Sequence, residues 1–195
     1  WEGGLRPAID NLGVYPRAVQ KEIPIWLATG GTPESSMRAA EFGLPIMYAI
    51  IGGNPRRFKR NIAIYRAVAE NRGYSREQMP VATNSWGYIA DTDEEAQKEF
   101  YVSTKVAHDI IAKERNWPKY DEAHFQREIS DEGAMFVGSP ETVAKKMIAV
   151  IEELDIDRFT LHIPLGSMPH DRVMNAIRLY GERVKPIVEE YFNNK

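Results

Sequence analysis

The residues best placed to do chemistry lie at four short junctions, "GGTPE", "GGNPR", "VGSPE" and "GSMPH". Each sets a glycine, a small or polar residue and then a proline at the head of an amphipathic run. Proline suits the first helical turn, where its missing N–H would go unpaired anyway, and Thr32, Asn54 and Ser139 are good N-caps. Efficient helix starting accounts for all four. The first junction, "ATGGTPESS" from Ala28 to Ser36, has a second reading as an anion site. Past Thr29, Gly30 and Gly31 let the backbone approach a ligand, and the free N–H groups and dipole of the following helix favour an anion such as a phosphate. Thr32, Ser35 and Ser36 add hydroxyl donors, while Glu34 must point away. The stretch matches neither the dinucleotide fingerprint nor the P-loop.

Other chemistry is restricted by what the chain lacks. With no cysteine there is no disulfide, thiolate metal site or cysteine nucleophile, and none of the four histidines has the i,i+2 or i,i+4 spacing of a metal pair, so no metal is expected. His108 and His124 read as helix and excursion residues, and the face taken by His162 depends on strand register. Arg56, Arg57, Lys59, Arg60 and Arg66 form the strongest cationic cluster, which reads as a solvated helix face, although Arg56 and Arg57 open their helix beside Gly52 and Gly53. A net charge of -3 gives no general attraction to nucleic acid. The longest apolar run, "LPIMYAII", falls far short of the roughly 18 residues of a membrane span. A cytoplasmic location fits.

The elements that must position these groups alternate strand-like runs with long helical patterns, the signature of parallel βα units. Strands are predicted over Ile23–Thr29, Pro45–Ile51, Val81–Ala90 and Arg158–Pro164. Helices are predicted over Pro33–Phe42, Pro55–Asn71, Asp93–Arg115, Pro140–Leu154 and Pro169–Tyr191. Trp117 to Gly138 is polar and reads as an irregular excursion or lid. In "VATNSWGYIA" the period of two sets Asn84 and Trp86 on one face and Ser85 on the other.

The segments "GGTPESSMRAAEFGLPIMYAIIGGNPRRF", "ADTDEEA", "GAMFVGSPETVAKKM" and "PLGSMPHDRVMNAIRLYGERVKPIV" resemble the luciferase-like flavin-dependent monooxygenases, the superfamily of bacterial luciferase and alkanesulfonate monooxygenase. The resemblance spans nearly the whole chain. It implies an α/β fold of the (β/α)8 TIM-barrel type, of which residues 1–195 supply about the last four βα units. The expectation is therefore a C-terminal half of a longer barrel, inactive by itself, and the chain opens at Trp1 without an initiator methionine. Four such units leave two strand edges and an inner sheet face uncovered.

The resemblance also assigns roles. The loop after the fifth barrel strand helps to hold the phosphate of FMN, at positions matching Gly31, Thr32 and Ser35. Bacterial luciferase has an acidic residue and a serine where this chain has Gly31 and Thr32, so Gly31 offers only its backbone. Asn84 and Trp86 fall where alkanesulfonate monooxygenases carry Arg and His, which leaves an amide and an indole at that wall of the substrate pocket. Met168 replaces the tyrosine of the related "YPH" motif and would line an apolar pocket, with His170 supporting the helix start beside it. The implied reaction is oxidation of a small organic substrate by reduced FMN and O2, the flavin coming from a separate reductase to a homo-oligomeric enzyme. Two other readings stay open: hydride transfer with the deazaflavin F420, and flavin binding without catalysis. The resemblance names no catalytic residue.

Overall fold

The computed structural model describes residues 1–195. Residues 1–26 form neither helix nor strand and are almost wholly exposed. Regular structure begins with β1 (Leu27–Thr29), α1 (Pro33–Glu41) and β2 (Ile46–Ala49). A 3₁₀ turn (Pro55–Phe58) then runs into α2 (Lys59–Asn71), followed by β3 (Val81–Ile89) and α3 (Asp93–Arg115). The rest comprises α4 (Glu122–Ile129), β4 (Phe136–Gly138), α5 (Pro140–Leu154), β5 (Arg158–His162), α6 (His170–Leu179), a π turn (Tyr180–Val184) and α7 (Lys185–Asn193). No helix is long and apolar enough to cross a membrane.

Every strand pairing is parallel. Because β2 and β5 pair with the same residues of β3, Ala82 to Asn84, they lie on its opposite edges, which gives the order β1-β2-β3-β5. One rung runs Ala28, Met47, Ala82, Arg158; two residues further on, Ala49, Asn84 and Thr160 line up, and then Trp86 with His162. β4 pairs only with Gly87 to Ile89, beyond the reach of β2 and β5, and so extends the sheet at its carboxyl end.

The two faces of the sheet differ. Ile46, Tyr48, Ile50 and Val81 point to the helix layer and are buried, in one cluster with Ala39 and Ala40 of α1, Ile62 and Tyr65 of α2, and Val143, Ala144 and Met147 of α5. Each large side chain so buried contributes about 1.5–3 kcal/mol of apolar transfer. On the alternate positions Ala82, flanked by β2 and β5, is buried, but Met47, Ala49, Asn84, Trp86 and Thr160 are only half-buried, and Ala28, Arg158 and His162 are exposed. No helix covers that stretch. At its carboxyl end a second cluster takes over, where Tyr88 is buried with Phe100 of α3, Phe125 of α4 and Val137 of β4.

Several predicted boundaries need correction. β1 is shorter than Ile23–Thr29 because its ladder runs out: Leu27 donates to the carbonyl of Pro45, and Pro45 has no N–H to return. Ile23 and Ile25 are left exposed. β2 ends at Ala49 instead of Ile51, although Ile50 still donates to the Asn84 carbonyl. β3 and β5 stop at Ile89 and His162, short of the predicted Ala90 and Pro164. The excursion from Trp117 to Gly138 is not irregular, since it holds α4 and β4. The last helix is divided by the π turn instead of running unbroken from Pro169 to Tyr191.

Candidate functional site

At the β1–α1 junction the side chain of buried Thr29 turns the loop, its Oγ1 accepting from the N–H of Gly31 at 3.1 Å. Gly31 sits at φ +100°, a left-handed value, and an added Cβ would lie 2.4 Å from Cε1 of Phe58, so both backbone and packing require glycine. Asn61 of α2 holds the Gly31 carbonyl. Thr32 is the N-cap: its Oγ1 accepts from the Ser35 N–H at 3.3 Å and donates to Ser35 Oγ at 2.9 Å. The cap therefore consumes the Thr32 hydroxyl proton and leaves the proton of Ser35 Oγ available. Gly30 is exposed, as is Glu34. Ser36, expected as a further donor, is instead fully buried and bonds the Tyr48 hydroxyl at 2.8 Å. Burial pushes that phenol up to about 12.

The β2–α2 junction closes on the first. Phe58, the ring beneath Gly31, packs edge-on against Tyr48 at 5.6 Å, and the Arg57 guanidinium lies 5.0 Å above it. Of the cationic cluster, Arg56 pairs with Glu153 at 2.6 Å and Glu132 at 3.3 Å, and Arg66 pairs with Asp157 at 2.6 Å. Arg57, Lys59 and Arg60 are exposed. The cluster is a solvated, partly paired helix face.

On the open face Asn84 and Trp86 point the same way, as the period of two requires, while Ser85 is buried on the helix side. The register sets His162 opposite Trp86, and their rings lie 4.1 Å apart with a tilt of 42°. Trp86, Leu165 and Met168 all pack against the second cluster, so Met168 borders the same end of the face. His170 is the exposed first residue of α6, whose start has no side-chain cap.

The excursion is tied down over this end. Lys146 of α5 is buried and donates to the carbonyls of Ile129 (3.2 Å), Ser130 and Met135 (2.7 Å), and burial lowers its pKa to about 8. Glu128 of α4 accepts from the N–H of Gly53 at 3.4 Å, which links α4 to the β2–α2 junction. Tyr88 donates to Glu99 at 2.5 Å, and Glu99 pairs with Arg172 at 3.2 Å, joining β3, α3 and α6. Nothing in the sequence spacing signals the Lys146 or Glu128 contacts, which join residues distant in the chain. His162 was recognisable as a strand residue, but its face was not.

The parallel order and the gathering of strand ends at one side define part of a TIM-barrel type α/β fold. The sequence profile described as luciferase-like monooxygenase matches residues 1–158, and the chain belongs to that family. No curated protein matches it. Among solved structures it is similar to monooxygenase RslO1 from Streptomyces bottropensis, with 22% identity and a TM-score of 0.70 over 88% of this chain and 50% of that one. It is also similar to the FMN complex of the oxygenating constituent of 3,6-diketocamphane monooxygenase from the CAM plasmid of Pseudomonas putida (18%, TM-score 0.61, 84% and 48%). A third likeness is to the coenzyme F420 dependent tetrahydromethanopterin reductase from Methanopyrus kandleri (19%, TM-score 0.60, 84% and 50%). The chain spans about half the length of these structures.

Proposed function

We propose that this chain carries part of the flavin site of an oxidoreductase that binds FMN and oxidises a small organic substrate. The observation that supports this reading best is the β1–α1 junction. Its glycine is forced by both φ and packing, a helix N-terminus follows, and one serine hydroxyl is left with its proton uncommitted. Those features fit a phosphate, with Ser35 Oγ as side-chain donor and Thr32 holding the helix start. The flavin ring would then lie along the open face toward Asn84 and Trp86, bordered by Met168. When bound and reduced, FMN supplies the electrons that activate O2. The chain's own residues anchor the phosphate, present an amide and an indole to the ring or substrate, and exclude water through the second cluster. This reading requires the open face to be closed by further βα units, as half a relative's length suggests.

The F420 reading is favoured by one specific likeness, the tetrahydromethanopterin reductase fold. Titration of the protein with FMN and with F420, followed by absorbance, separates the two. Ser35→Ala is expected to weaken FMN binding about tenfold or more, since a hydrogen bond to a charged group is worth about 1.5–3 kcal/mol. An unchanged dissociation constant would remove the phosphate assignment.

A further inference from the structure

Resting on the flavin reading, we propose that His162 is the proton-handling residue of the open face, with Trp86 as the platform that orients it. The register puts His162 directly across from Trp86, and the 4.1 Å ring separation fixes the plane of the imidazole. The side chain is exposed, and no hydrogen bond or ion pair engages it.

The neighbours on this face cannot do the same work. Asn84 and Thr160 do not titrate near neutrality, and an indole has no proton to give there. Arg158, on the same face four residues earlier in β5, lies 6.0 Å from the Trp26 ring, and a guanidinium is not a proton-exchanging group in proteins. Beyond Trp86 the Tyr88 hydroxyl is committed to Glu99, which is itself paired with Arg172. Of the other histidines, His108 and His124 pack around Tyr120, at 4.7 and 4.9 Å, in the excursion. Histidine is the side chain that exchanges a proton most readily near neutral pH. As negative charge develops on an atom of the bound ligand, protonated His162 delivers a proton to it from a ring nitrogen and is left neutral. A proton from water then restores it.

The test uses the full polypeptide with FMN as probe. The imidazole resonances of His162, assigned by their loss in His162→Gln, are titrated against pH with and without saturating FMN. FMN is expected to move the His162 midpoint by at least about half a pH unit, equivalent to a threefold difference in FMN affinity between the two protonation states. His162→Gln should abolish that threefold pH step and keep the native circular dichroism. Riboflavin, which lacks the titrating phosphate, should show the same step, and Trp86→Phe, which keeps a ring beneath the imidazole, should retain it. FMN bound with an unmoved His162 midpoint, or a step that survives His162→Gln, overturns the proposal alone. Failure of the unaltered protein to bind FMN overturns the flavin reading and this proposal together.

Discussion

Thr83 and Asn84 are consecutive on β3 and belong to opposite worlds. Thr83 is fully buried against the helix layer, on the face where Ile46, Tyr48 and Val81 pack. Asn84 stands half-buried on the face that carries Trp86, Thr160 and His162. Packing constrains the first face strongly, because each side chain there touches several others and any void removes contacts outright. The second face holds its residues mainly through the backbone ladder. The same strands thus hold alternate positions in two environments, one packed against helices and one open.

The sharpest way to break this contrast is to cut a hole in the covered face. Phe136→Ala, removing a fully buried ring that packs edge-on against Phe159 at 4.7 Å, is expected to cost about 3–5 kcal/mol in urea unfolding. A loss below 1 kcal/mol would show that the helix layer does not hold the fold. Gly31→Ala comes next, at about 1–3 kcal/mol, from the left-handed φ and the collision with Phe58. Thr83→Val should act in the opposite direction. The Thr83 hydroxyl is buried with no partner, so its replacement by a methyl of similar shape is expected to raise stability by about 1 kcal/mol. A fall in stability instead would mean that the hydroxyl is satisfied, for example by a buried water. Smallest of all, Asn84→Ala should leave the unfolding midpoint within about 0.5 kcal/mol of the parent while altering FMN affinity. A large loss of stability would show the open face to be structural.

Much of this arrangement is readable in the residues. The Gly–polar–Pro junctions located the starts of α1, α5 and the turn before α2, and Thr32, Asn54 and Ser139 all cap as their side chains suggest. The alternation in "VATNSWGYIA" separated Ser85 from Asn84 and Trp86. β4 escaped, although "VGSPE" already marked a βα junction, because the apolar run from Ala134 to Val137 that leads into it is too short to show a period after the polar residues before it. His162 could not be placed, because a shift of one residue in register reverses every face of a strand, and only pairing with β3 fixes it. The Ser36 hydroxyl was read as a further donor to an anion on its residue type alone. One turn of helix carries it inward to Tyr48.

The π turn between α6 and α7 acts on phase. Tyr180 and Val188 both pack on the first core cluster, eight residues apart. In an unbroken α-helix, at about 100° per residue, they would sit roughly 80° apart around the axis. A π turn amounts to one inserted residue, here closed by the Lys185 N–H on the Tyr180 carbonyl, and withdrawing one residue's advance brings the two back to within about 20°. Losing a single residue such as Gly181 would therefore restore a plain helix with Val188 still turned inward. Gaining one would swing the whole of α7 off the core.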